Sequence, residues 1–254
     1  MIDTHCHLLH KGLLKKHEEV IQDAKKSMTA IINCGYPGDA QQAIDLTKKY
    51  LGFIYLTLGL HPIDIVEMTD KEIENYIQFI RDHKDDILAI GEIGLDYHWY
   101  PEKEKQPRLE KVFQQMIDLA KELKIPVILH TRKAEQRCFD IVTKNNLKDV
   151  VFHCYAGNLT LAKEIINQGY YISVGTNLLR SKSTVKIAKK YPLEQLLTET
   201  DSPFLSPFPG KDNIPQNVKF VLEEMSKLRE MPINEIDKVI EENCRRLFRI
   251  SKIL

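Results

Sequence analysis

Four of the nine histidines, with two carboxylates among them, fall where a divalent-metal site could form. Asp3-Thr4-His5-Cys6-His7 places two imidazoles two residues apart. Side chains alternate along an extended strand, so His5 and His7 share a face while Thr4 and Cys6 point the other way. Two ring nitrogens on one face are a ready chelate. His61, Glu92, His130, His153 and Asp201 follow, each near the end of a short run of strand character. A buried parallel strand should be apolar throughout, so polar residues at such ends need a chemical reason. Burying His5, His7, His130 and His153 with Glu92 and Asp201 and no cation would leave charges and donors unpaired, at a cost of several kcal/mol. Imidazole nitrogen with carboxylate oxygen suits Zn, Mn, Co or Ni, and Mg enters where substrate phosphate adds oxygens.

Bringing these residues together is the task of the elements that carry them. Eight short runs rich in β-branched and aromatic residues recur, at 1–7, 29–35, 53–62, 87–96, 125–132, 150–157, 170–177 and 195–203. Their spacing of about 32 residues matches a βα unit. The segments between them carry helix signals. Thr69 to Glu72 is a capping box leading into Ile73, Tyr76, Ile77 and Ile80 on one face. Leu109, Val112, Phe113, Met116, Ala120 and Leu123 keep the same period, and Asn158 and Gly169 stand where a cap and a left-handed terminator belong. From Ile214 two amphipathic helices are expected, the second carrying Ile236, Val239, Ile240, Leu247 and Phe248. Eight strand-helix alternations predict an α/β chain folded as one domain over residues 1–254, a (β/α)8 TIM barrel in preference to a large open sheet. In a barrel the C-terminal strand ends surround one mouth, so every strand but the second and seventh would aim ionisable groups at one place.

Composition narrows the setting. Lys+Arg and Asp+Glu number 36 each, so no global excess of cations is available for a polyanionic partner, although local fields stay open. The five cysteines lack CxxC spacing, which argues against a disulfide framework or zinc knuckle and makes the cytoplasm the expected compartment. Cys6 and Cys154 are expected to pack outward against helices. Ile165 to Leu179, the longest stretch without a charge, is broken by Asn, Gln and Gly, so no membrane span is expected. Asp3, His5 and His7 precede any apolar stretch; a signal peptide is not expected, and the fold should begin at Met1.

Six ordered motifs go further: Asp3-Thr4-His5-Cys6-His7, Gly59-Leu60-His61-Pro62, Gly91-Glu92-Ile93-Gly94-Leu95-Asp96-Tyr97, His130-Thr131-Arg132, Phe152-His153-Cys154-Tyr155-Ala156-Gly157 and Thr198-Glu199-Thr200-Asp201-Ser202-Pro203. With Asn243, Arg245, Arg246, Leu247 and Phe248 in the closing helix, the chain resembles, over essentially its whole length, the TatD-type metal-dependent deoxyribonucleases and hydrolases of the amidohydrolase superfamily. The resemblance implies two divalent ions, Mg, Mn or Zn, the first held by His5, His7, Glu92 and Asp201 and the second by Glu92, His130 and His153. Glu92 would bridge the pair. Asp201, beside the nucleophilic water, is the expected general base and with Glu92 makes the catalytic pair. His61, outside the family's ligand set, and Arg132 are the expected substrate contacts, donating to phosphate oxygens. Glu199 and Asp96 are expected to orient ligands or cap loops. Lys133 stands where the family often has an acidic residue and Tyr155 where Phe is usual, which bears on substrate preference.

The expected activity is hydrolysis of phosphodiester bonds in DNA, 3′-to-5′ exonuclease-like, by a metal-activated water. Two alternatives stay open: an ester or amide hydrolase such as a D-aminoacyl-tRNA deacylase, with tRNA as the nucleic acid, and a metal-binding protein without turnover. Two cations, offset by Glu92 and Asp201, would leave the mouth at about +2 on a neutral body. Weak, metal-dependent binding with a shallow salt slope follows, because few phosphates would be neutralised by Lys or Arg.

Overall fold

Strands β1 (Ile2–Cys6), β2 (Ala30–Gly35), β3 (Ile54–Leu58), β4 (Ala89–Asp96), β5 (Val127–Arg132), β6 (Val150–Phe152), β7 (Tyr171–Val174) and β8 (Leu196–Thr198) lie parallel, each hydrogen-bonded to the next in chain order. The computed structural model describes residues 1–250; the last four residues of the predicted 1–254 domain, 251–254, lie outside the described residues. β1 meets the segment after β8 through Asp201 N–H to the His5 carbonyl (2.9 Å) and His7 N–H to the Ser202 carbonyl (2.7 Å). The sheet thereby closes into the (β/α)8 barrel the alternation predicts.

The outer ring comprises α1 (His17–Ala24), α2 (Ala40–Lys49), α3 (Pro62–Glu67), α4 (Asp70–Asp82), α5 (Gln106–Leu123), α6 (Glu135–Lys144), α7 (Leu159–Asn167), α8 (Lys182–Lys190), α9 (Val218–Arg229) and α10 (Ile233–Phe248). Their predicted signals are realised. The Thr69 side chain accepts from Glu72 N–H while Glu72 reaches back to Thr69 N–H, opening α4. Asn158 Oδ1 accepts from Leu161 N–H at 2.8 Å, and Gly169, at φ +85°, follows the end of α7. Caps of this kind are worth about 1 kcal/mol each.

Two apolar layers result. The larger lies between strands and helices; the smaller fills the lower barrel with Ile2, Ala30, Ile32, Ala89, Ile128, Val151, Tyr171 and Leu197, against Leu247 and Phe248 of α10. α10 therefore stoppers the barrel floor, at the end opposite the C-terminal strand ends that form the mouth.

Several strands are shorter than predicted. β3, β6 and β8 stop at Leu58, Phe152 and Thr198, so His61, His153 and Asp201 stand just beyond the last paired residues. Their polar side chains belong to the mouth rather than to the apolar ladder, and the backbone is free to leave strand geometry as soon as they begin.

Candidate metal centre

Alternation carries the floor into the mouth. Ile128 and Val151 line the floor, and His130 and His153, two residues further along the same face, reach the centre. Glu92 enters from β4 and is buried. Glycines make room for it: a Cβ on Gly59 would meet the Glu92 carbonyl at 2.6 Å, and one on Gly94, at φ +140°, would meet the His130 carbonyl at 2.1 Å.

The two oxygens of Glu92 face two different sets of rings. Oε2 lies 3.5 Å from His5 Nε2 and 4.0 Å from His7 Nε2. Oε1 lies 2.8 Å from His130 Nδ1 and 2.9 Å from His153 Nε2. On the first side Asp201 Oδ1 joins at 3.2 Å from His7 Nε2 and 3.8 Å from His5 Nε2, and the two Nε2 atoms stand 3.2 Å apart. Asp201 sits at φ +56°, a strained position for a non-glycine residue, held by the backbone bonds that close the barrel. The other five residues expected to bind metal thus gather around Glu92.

A second tier aims the first. Asp96 Oδ2 faces His130 Nε2 at 2.9 Å while its Oδ1 accepts from His98 and Trp99 N–H, combining the two roles expected of it. Glu199 Oε1 faces His153 Nδ1 at 3.1 Å and Oε2 accepts from Ser173. Both act on the far ring nitrogen, the arrangement that orients metal-binding histidines.

Electrostatics match a cation-binding centre. Burial opposes a charged Glu92, but His153, His61 and the hydrogen bonds from His130 and His153 outweigh it and hold the carboxyl well below its usual range. Asp201 is lowered likewise, burial being overcome by His7 and the other imidazoles. Burial would lower His130, yet Asp96 and Glu92 push it up to about 9, and Glu199 and Glu92 raise His153 against the same burial. The carboxylates therefore draw positive charge to the ring nitrogens, from protons or from a divalent ion. Among the described residues no lysine or arginine forms an ion pair with Glu92 or Asp201, whose pairs are all with histidines. His5 Nδ1 and His7 Nδ1 are buried without partners. The donor set, imidazole nitrogen and carboxylate oxygen, fits divalent first-row metals.

The remaining predicted residues divide. His61 lies beside the cluster, Nε2 3.9 Å from Glu92 Oε1 and its ring 4.4 Å from that of His130. Its Nδ1 accepts from Ile63 N–H at 3.1 Å, which leaves the proton on Nε2, and burial drives its pKa down to about 3 so the ring stays neutral. Arg132 does not converge on the centre; it is exposed at the rim, its guanidinium 5.5 Å from the Trp99 ring.

Three participants escaped the sequence reading. Tyr36 donates to Glu92 Oε2 at 3.1 Å and stacks on His7 at 5.2 Å. Cys34 groups with His5 and His7, with potential ligand atoms within 4.8 Å of one another. Burial raises its thiol well above the ordinary value, so it is a neutral group. Ser173, from β7, holds Glu199. Cys34 lies on β2 and Tyr36 just past its end, and neither β2 nor β7 ends in the histidine or carboxylate that marks the other strands. One expectation is corrected. Cys6 packs in the outer core, but Cys154 does not point outward: at φ +45°, past the end of β6, it lies near the mouth, its sulfur 3.4 Å from where a Cβ on Gly175 would sit and Glu199 close by.

The barrel and its convergent imidazoles and carboxylates define a metal-dependent hydrolase. A family model described as TatD related DNase matches residues 2–249, and the chain belongs to that family. It is 42% identical over 249 residues to an uncharacterized metal-dependent hydrolase of Methanocaldococcus jannaschii, spanning 98% of this chain and 96% of the relative. It is 29% identical over 258 residues to the deoxyribonuclease TATDN3 of Homo sapiens, with 98% and 94% covered. The crystal structure of the TatD homologue YjjV from Escherichia coli superposes with a TM-score of 0.90 at 29% identity, covering 99% of this chain and 98% of that one. No described helix is long and apolar enough to cross a membrane.

Proposed function

We propose that the protein hydrolyses phosphodiester bonds, with DNA as substrate, using two divalent ions of the Mg, Mn or Zn kind. The observation that carries this reading is the division of Glu92, one oxygen toward His5, His7 and Asp201 and the other toward His130 and His153. His5, His7, Glu92 and Asp201 would hold one ion and Glu92, His130 and His153 the other. Such a pair lowers the pKa of a water and clamps a phosphoryl group.

The chain's own residues supply the rest. Asp201, ionised and with Oδ1 turned to His7, takes the proton of the attacking water and passes it toward the leaving oxygen. His61 donates its Nε2 proton to a phosphoryl oxygen, with Nδ1 fixed by the Ile63 N–H. Arg132 offers a planar fork to a neighbouring phosphate. Asp96 and Glu199 keep the rings of His130 and His153 facing Glu92. The deoxyribonuclease named among the relatives supports the choice of DNA.

Protein stripped of metal should not cleave single-stranded DNA and should recover with Mg²⁺ or Mn²⁺, while Glu92→Ala should stay inactive. Cleavage by Glu92→Ala at the wild-type rate would refute the reading. Charged D-aminoacyl-tRNA assayed alongside decides between bond classes, and a large rate advantage for the aminoacyl ester would replace phosphodiester hydrolysis.

A further inference from the structure

The chain is neutral, but its mouth is not uniform. Arg132 at the end of β5, Lys182 at the start of α8, and Lys133, Arg180, Lys11 and Lys15 in the loops after β5, β7 and β1 are exposed, and among the described residues none of these six enters an ion pair. On this arc Asp212 is engaged by Lys16 at 3.0 Å, and Glu135 opens α6 close to Lys133. The opposite arc, after β2, β3 and β4, carries Asp39, Asp64, Glu67, Glu102 and Glu104 against only Lys103 and Lys105. The field at the mouth therefore points one way.

Exposed aromatic residues border this arc or lie within it. Trp99 (58% exposed), Phe204 (47%) and Phe208 (46%) are the exposed aromatic residues of the described chain, and all three lie in loops at the mouth. Phe208 packs on Phe220 of α9. The other two flank the centre on opposite sides. Phe204 lies 5.9 Å from His7 and 4.9 Å from His10, beside the Asp201 half. Trp99 follows Asp96, the partner of His130, and carries Arg132 over its ring. Two exposed rings, Trp99 at the β4 border of the cationic arc and Phe204 within it after β8, meet the needs of a polyanion with free base faces: cations track the backbone and rings stack on bases.

Resting on the nuclease reading, we propose that one nucleic-acid strand runs along the β5–β6–β7–β8–β1 arc. Its phosphates pass over Lys133, Arg180 and Lys182, and unpaired bases on either side of the scissile phosphate stack on Trp99 and Phe204. The acidic residues after β2 and β3 lie on the side away from the strand. The salt dependence is then steeper than net charge alone implies.

The test compares wild type with Trp99→Ala, Phe204→Ala and the triple variant Lys133→Ala/Arg180→Ala/Lys182→Ala, all loaded with Mn²⁺. Each is assayed on a short single-stranded DNA and on bis(4-nitrophenyl) phosphate across a salt series. Each aromatic variant should raise KM for DNA on the order of tenfold. The triple variant should flatten the logarithmic salt slope by about 2, at about 0.7 per phosphate contact on a single strand. Losses on the small diester should be far smaller, and Glu67→Ala on the opposite arc should change KM for DNA by less than about twofold, as surface charges outside a contact do. If wild type cleaves DNA and these KM values and slopes do not move, or fall equally on both substrates, the strand path is refuted while the nuclease reading stands. If wild type cleaves the small diester and no DNA, the nuclease reading fails and the path with it.

Discussion

The two ends of the barrel interior are built by the same strands under the same alternation, yet they solve opposite problems. Ile32, Ile128, Val151 and Leu197 fill the floor; two residues on, Cys34, His130, His153 and Glu199 face the mouth. The floor is closed by apolar packing against α10, which Asn243 pins by donating to the Leu193 and Leu196 carbonyls. The mouth gathers imidazoles and carboxylates that satisfy one another only partly, leaving His5 Nδ1 and His7 Nδ1 without partners. Stability and chemistry are therefore separated along each strand by about two residues, ~7 Å of extended chain.

Breaking the mouth at its centre should give the largest effect. Glu92→Gln removes the charge shared by both halves, and phosphodiester hydrolysis should fall on the order of 10³-fold while the metal-free variant keeps its fold, as circular dichroism would show. Cutting the floor should do the reverse. Ile128→Ala should lower unfolding free energy by about 2–5 kcal/mol in a denaturant titration, with kcat per folded molecule little changed. A comparable loss of kcat in Ile128→Ala would show that the two ends are not separable. Loosening the second tier should be milder: Glu199→Gln or Asp96→Asn should weaken metal affinity about 10- to 100-fold by calorimetry.

The smallest effect concerns the stability cost of polar groups at the rim. Burial raises the Asp64 carboxyl to about 6, while a hydrogen bond from the His61 backbone opposes the shift. Its pKa in the fold lies above the unfolded value, so its contribution is present below about pH 4 and is lost as pH rises through about 6. Asp64→Asn keeps an acceptor for that N–H and should raise stability at pH 7 by about 1 kcal/mol after allowance for partial exposure, flattening the decline between pH 4 and 6. An unchanged profile would place the cost elsewhere.

Much of this contrast was legible in the sequence because one periodicity governs it. Histidine or carboxylate at the end of an apolar run is costly without a partner, and that cost singled out His5, His7, Glu92, His130, His153 and Asp201. The same logic misplaced Cys154, because alternation ends with β6 at Phe152 and the backbone turns left-handed. Tyr36 and Cys34 were missed because phenol and thiol are unremarkable in a buried strand until the carboxylate they face is known. Net charge says least: equal sums of cations and anions leave local fields open, and where the charges fall around the mouth is set only by the closure of the barrel.

The account turns on Glu92 serving two metal ions at once, and metal stoichiometry tests it directly. Elemental analysis of protein equilibrated with Mn²⁺ or Zn²⁺ and freed of excess should give two ions per chain in wild type. Glu92→Gln should retain neither tightly. One ion per wild-type chain, or an undiminished pair in Glu92→Gln, would contradict it.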